Sequence, residues 1–178
     1  EQRQYEFMLG DEGIARAQVD FQHAGRVDFG VPVQEAAPQP AGVFRMNRPV
    51  EWRDIDVSGR MKAAGFASLA EDAGVRVSAA HEWPLTRCAK EGFAIVLRRH
   101  EIEFGAAVTL DDEVEISTWA SDARRSAVIR HYLLRRRTDG AVVARFRSLY
   151  VWVSLGSGRP IRIPETFLAS FAPNFAIG

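Results

Sequence analysis

The strongest constraint in this chain is a change of hydrophobic period near its middle. Phe66, Leu69, Ala70, Ala73 and Val77 recur at steps of three and four, one face of a helix running from about Met61 to Ala80. From Gly92 onward the pattern is that of strands: Phe93 to Phe104, Glu113 to Ala120, Ser126 to Arg137 and Ala141 to Leu155. Asp139-Gly140 is a strong two-residue hairpin signal and Leu110-Asp111-Asp112 a turn, so the four strands are expected to form an antiparallel meander. The helix is rich in small residues (Ala63, Ala64, Gly65, Ala67, Ala70, Ala73), and Gly65 and Gly74 each cost it about 1 kcal/mol relative to Ala. A neighbour can therefore pack closely against it. One helix laid on one antiparallel sheet, which wraps around it, is an α+β architecture.

Ahead of the helix, Val43 to Trp52 reads as a strand, and Pro49 inside it points to a sheet edge or a bulge. Two carboxylates, Asp54 and Asp56, follow, then a tight turn at Ser58-Gly59. Unpaired N–H groups at a helix N-terminus attract negative oxygen, so an acid held there is placed to work on a bound carbonyl. The same residue types also cap helices and make turns with no chemistry at all.

Several classes are excluded by composition. At 178 residues the chain is long enough for one well-buried domain. Lys plus Arg equals Asp plus Glu at 23 each, so no global field suggests a nucleic-acid or membrane partner. The single cysteine, Cys88, rules out an internal disulfide and reads as a small core or surface thiol in a reducing compartment. No apolar run approaches the roughly 18 residues of a membrane span, and Glu1-Gln2-Arg3-Gln4 is no signal peptide, so a cytoplasmic location is expected. His23, His81, His100 and His131 lack metal-ligand spacing, so no metal site is expected. There is no serine-hydrolase elbow and no phosphate-binding P-loop. Residues 1–42 read as an N-terminal extension: strands at Ile14 to Phe21 and Arg26 to Val33, a turn at His23-Ala24-Gly25, and a Pro- and Ala-rich linker from Glu35 to Gly42. Residues 43–178 make the main domain.

The order of elements, together with Asp54, Asp56, Gly59, Arg60, Lys62, Ala63 and Phe66, resembles the hot-dog thioesterases, especially the branch of 4-hydroxybenzoyl-CoA thioesterase and short acyl-CoA thioesterases. That family carries a motif of the form D-x-D-x-x-G-H-V-N-N-x-x-Y followed by a helix with a Glu, here Glu71. The arginine-rich run from Ala123 and the ending Gly158 to Pro164 look like the family's later segments. The family's His is Arg60 in this chain, its paired Asn residues are Lys62 and Ala63, and its Tyr is Phe66.

The resemblance implies an antiparallel sheet wrapped around one long central helix, and a homodimer or higher homo-oligomer with active sites at the subunit interface. It implies hydrolysis of an acyl-CoA or acyl-carrier-protein thioester, with coenzyme A or phosphopantetheine belonging to the substrate and no separate cofactor. Asp56 matches the family's nucleophile or general base, and the backbone N–H of Ala63 its oxyanion donor. Such donors contribute on the order of 3 kcal/mol to a barrier. Glu71 is the second candidate carboxylate, since some hot-dog thioesterases place the working acid on the helix. Gly59, Arg60, Arg124, Arg125 and Ser126 match positions that contact substrate or the coenzyme A arm, while most strand arginines are expected to pair with Glu101, Glu103, Glu113 and Glu115. The alternative is a non-catalytic hot-dog protein that binds acyl-CoA or an acyl chain, or serves as a dimerisation module.

Overall fold

The computed structural model describes residues 37–176 in full and the backbone of Gln2–Leu9 and Glu12–Asp20. These last two strands, β1 and β2, pair antiparallel from Gln2↔Asp20 to Leu9↔Glu12 as a two-stranded sheet of their own. The strand expected from Ile14 to Phe21 forms within β2 as far as Asp20, Phe21 lying outside the described residues, and its partner is the preceding segment, whose Tyr5, Phe7 and Leu9 recur with period two. The strand expected from Arg26 to Val33 and its turn at His23-Ala24-Gly25 lie outside the described residues.

The remaining elements are β3 (Phe44–Pro49), α1 (Ala63–Ala80), α2 (Leu85–Lys90), β4 (Phe93–Phe104), β5 (Glu113–Ser121), β6 (Ala127–Arg136), β7 (Val142–Ser154) and α3 (Glu165–Phe171). Five of the strands form one antiparallel sheet in the order β3-β5-β6-β7-β4. Pro49 ends β3, an edge strand, where its missing N–H costs the ladder nothing.

The expected four-strand meander is corrected to three strands, β5-β6-β7. Both sides of β5 are occupied, by β3 (Phe44↔Thr118 to Pro49↔Glu113) and by β6 (Val114↔Arg136 to Ser121↔Ile129). The strand after the helix therefore finds its partner on the far side, beside β7, from Phe93↔Ser154 to Phe104↔Ala144. Short connections made a meander look sufficient; the contest for hydrogen-bonding edges is not visible along the chain. The segment 105–112 carries the crossing. Gly105 and Ala106 donate their N–H groups to Val143 and Val142 at 2.9 Å each, and the Val108 carbonyl accepts from Met61 N–H at 2.8 Å. This ties the crossing to the approach of α1.

Every residue of the expected helix face (Phe66, Leu69, Ala70, Ala73, Val77) is buried. The N-terminal half of α1 packs on Val114, Ile116, Tyr132, Leu134 and Phe146, and Val77 joins a second cluster with Trp83, Trp152, Phe167 and Phe171. The small residues have the expected use: a Cβ on Gly74 would stand 2.9 Å from the Tyr132 hydroxyl, and one on Gly65 would meet Asp54 at 3.1 Å. The segment after β7 forms α3, whose Phe167 and Phe171 stack at 4.4 Å and close one end of the sheet. Asn174 beyond it is fully buried, donating its amide to the Gly42 and Thr118 carbonyls at 3.0 Å each.

Candidate active site

The opening motif is a self-contained hydrogen-bonded turn. Asp54 is buried; its Oδ2 accepts from Glu51 N–H at 3.2 Å and its carbonyl accepts from Lys62 N–H at 2.9 Å, which sets the start of α1. Asp56 is exposed, and its Oδ1 accepts from the Ser58 hydroxyl at 2.6 Å, the Ser58 amide at 2.8 Å and, more weakly, the Arg60 amide at 3.4 Å. The Ser58 hydroxyl and then its amide hold the Asp56 carboxyl below the usual carboxylate range. Gly59 takes φ +77°, which glycine adopts without strain, and Arg60 is exposed beside it. Lys62 is the N-cap of α1 and Ala63 its first residue. A cavity of about 410 Å³ opens here, lined by Arg48, Arg53, Asp54, Lys62, Ala64, Gly65 and Ser68.

Glu71 lies two turns further along α1, at a different cavity. That cavity measures about 280 Å³ and lies between the second half of α1, β4, β6, β7 and α3, with Ile95, Leu97, Val128, Trp152, Phe167 and Phe171 as apolar wall. Glu71 itself is exposed, so its carboxylate stands at the rim. The polar groups inside are Ser78, Arg130 and Tyr150. Asp56 lines neither cavity. From Ala63 to Glu71 is eight residues of helix, about 12 Å at about 1.5 Å per residue. The candidates are thus split: Asp56, Gly59, Arg60 and Ala63 gather at the N-terminus of α1, and Glu71 stands apart.

Arg124, Arg125 and Ser126 form the β5–β6 connection, with both arginines exposed. Backbone bonds brace it: the Arg125 carbonyl accepts from Ile163 at 2.8 Å and the Ser126 carbonyl from Trp152 at 2.9 Å. The expected glutamate pairing holds for Arg99 with Glu101 at 2.9 Å, Arg137 with Glu113 at 2.8 Å and Arg145 with Glu103 at 3.5 Å, whereas Arg135 donates to the Gly140 carbonyl at 2.9 Å and Arg98 has no glutamate partner among the described residues.

One arginine behaves differently. Arg130 alternates with Val128 and Tyr132 on the helix-facing side of β6 and is only 9% exposed. Its Nη1 donates to Thr118 Oγ1 at 3.3 Å and Asn174 Oδ1 at 3.2 Å, and its guanidinium sits 5.5 Å from the Phe171 ring centre. Desolvation lowers its pKa. Beside it, the Tyr132 and Tyr150 hydroxyls share a 2.9 Å hydrogen bond, and burial pushes both phenols up, with the Glu71 carboxylate adding to the shift. His100 completes the polar set, its Nδ1 lying 2.6 Å from Ser148 Oγ. The signal for Arg130 was its place in an otherwise apolar alternation; read with its neighbours as a charge cluster, it looked like one more surface cation.

A five-stranded antiparallel sheet packed on one long helix is the architecture of the hot-dog fold class. The family model described as the thioesterase-like superfamily matches residues 50–171, and the chain belongs to that superfamily. Solved structures agree on the fold. A 1,4-dihydroxy-2-naphthoyl-CoA thioesterase from Synechocystis superposes with a TM-score of 0.69 at 19% identity, over 74% of this chain and 96% of that one. A Staphylococcus aureus protein solved in complex with CoA gives a TM-score of 0.70 at 16% identity, over 78% and 86%. A 12:0-ACP thioesterase from Umbellularia californica gives 0.66 at 19% identity, over 76% of this chain and 51% of that one. No curated protein matches the chain by sequence. Among the described residues no group of acidic, His and Cys side chains could hold a metal, and no helix is long and apolar enough to cross a membrane.

Proposed function

We propose that the chain hydrolyses an acyl thioester of coenzyme A or of a carrier protein, with the Glu71 carboxylate as nucleophile or general base. The observation that carries this reading is Glu71 at the rim of a largely apolar cleft, which is where the carbonyl of a thioester would rest once its acyl group was inside. Superfamily membership and neighbours whose names include CoA and ACP thioesterases support the reaction class. Asp56 is the second carboxylate. Its Oδ1 is already occupied by Ser58, leaving Oδ2 to act on water or substrate.

The backbone positions of Ala63 and Glu71 lie about 12 Å apart along one helix, so the amide and the carboxylate of a single copy are not set side by side against one carbonyl. If both act, they come from two copies of the chain. Exposed apolar side chains flank both places, Trp52 and Val57 beside the opening motif and Val75 and Leu85 at the cavity, as an interface between copies requires. The homodimer, with coenzyme A phosphates near the exposed Arg124 and Arg125, belongs to the same proposal.

The test is release of free thiol from acyl-CoA thioesters from acetyl to palmitoyl and benzoyl. A general-base or nucleophile role predicts a loss of about 10²–10⁴-fold in kcat for Glu71→Gln, with the folded dimer retained in light scattering. The reverse pattern, Asp56→Asn inactive and Glu71→Gln unchanged, moves the chemistry to the α1 N-terminus. Tight binding with no turnover on any thioester would leave a binding protein, the reading favoured by the absence of the motif's His and Asn side chains.

A further inference from the structure

The apolar cavity holds a charge that its own walls do not answer. Arg130 is nine-tenths buried, and among the described residues its only hydrogen-bond acceptors are the neutral oxygens of Thr118 and Asn174, both reached from Nη1. Nε and Nη2 have no acceptor among the described residues, and no carboxylate there pairs with the guanidinium. Four other arginines around the sheet show the contrast: Arg99, Arg137, Arg145 and Arg147 each lie within 3.5 Å of a glutamate oxygen, at more exposed positions where a partner is needed less. Buried cations persist when something anionic or several hydrogen bonds meet them, and a guanidinium fork matches the two oxygens of a carboxylate.

We infer that the cavity binds an acyl group whose far end is a carboxylate, which Arg130 pairs with at the inner wall, so that the preferred substrate is an ω-carboxyacyl thioester. This rests on the thioesterase reading for the word substrate, but not for the binding of a carboxylate. A cavity of about 280 Å³ lies toward the small end of ligand sites, so an acyl group of medium length is the natural probe. Polarity divides the cavity: Glu71 at the rim, an aliphatic and aromatic wall along β4 and α3, and Arg130 with Tyr150 inside.

The experiment compares suberyl-CoA with octanoyl-CoA, which differ only in the terminal carboxylate. For the wild-type protein kcat/KM is expected to be at least tenfold higher on suberyl-CoA, a result that needs no variant. In Arg130→Gln the suberyl value is expected to fall at least tenfold while the octanoyl value holds or rises, with Arg130→Lys intermediate. A wild-type preference for octanoyl-CoA, or equal losses on both substrates in a variant that still melts cooperatively, overturns the assignment. A second arm is independent of turnover: calorimetric binding of octanoate against 1-octanol to the wild-type dimer. Preference for octanoate that disappears in Arg130→Gln supports the carboxylate site even if no thioester is cleaved. Equal binding of acid and alcohol, or no binding of octanoate, overturns it.

Discussion

The hydroxyl of Tyr132 on β6 lies 2.9 Å from that of Tyr150 on β7, directly beneath Gly74 of α1. The contact joins three elements at the point where helix and sheet come closest, and it makes one wall of the cavity that Glu71 overlooks.

The first prediction concerns this contact. Gly74→Ala would gain about 1 kcal/mol of helix propensity, but its Cβ would meet the Tyr132 hydroxyl at 2.9 Å, and overpacking costs about 1–3 kcal/mol. Net destabilisation is expected in a chemical melt. Tyr132→Phe alone should cost about 1 kcal/mol for the lost hydrogen bond. Combined with Gly74→Ala it should recover part of the loss, because the colliding oxygen is gone. Simple additivity of the two would refute the steric account.

The second prediction is a pH dependence. Burial holds the imidazoles of His100 and His131 neutral and pushes each down to about 4, with Arg147 adding to the effect at His131. In the unfolded chain each takes up its proton near about 6.5. Between those values the unfolded state binds more protons, so stability is greatest above about 6.5 and falls as pH drops toward 4, by at most about 1.4 kcal/mol per pH unit for each histidine. Melting temperatures measured from pH 7.5 to 4.5 should decline, and His100→Gln should flatten the slope. A flat profile in the wild-type protein would contradict it.

A third prediction addresses the closure of the cavity. Asn174 is fully buried and ties the segment after α3 to the turn before β3 and to β5, through the Gly42 and Thr118 carbonyls. Asn174→Ala strands both carbonyls and one Arg130 donor, at a cost of about 2 kcal/mol, or about 4–8 °C in Tm for a domain of this size. Differential scanning calorimetry reads this directly, and a change below 1 °C would mean that water replaces the amide.

Much of the fold was legible along the chain. The strand bounds expected for β4 to β7 lie within a residue or two of those observed, because two-residue alternation and the Asp139-Gly140 turn are local signals. The buried stripe of α1 and the edge position of Pro49 were equally local. Strand order was not: nothing in β4 itself says that β5 has no free side to offer. Nor was α3 expected as a helix, since its stability comes from stacking Phe167 and Phe171 against Trp152 and His81 rather than from propensity over seven residues.

The candidate site divides the same way. Sequence by itself determined the helix, the turn before it, the two acidic candidates and the kinship of their frame with hot-dog thioesterases, because each is a matter of neighbouring residues and short-range hydrogen bonds. Tertiary structure alone decided that Asp56 spends its Oδ1 on its own turn, that Glu71 overlooks a cavity, and that one arginine of a charged cluster is buried in its wall. Burial and cavity shape are set by elements far apart in the chain, α1, β4, β6, β7 and α3, so the charge state and exposure of a side chain become readable only once they meet.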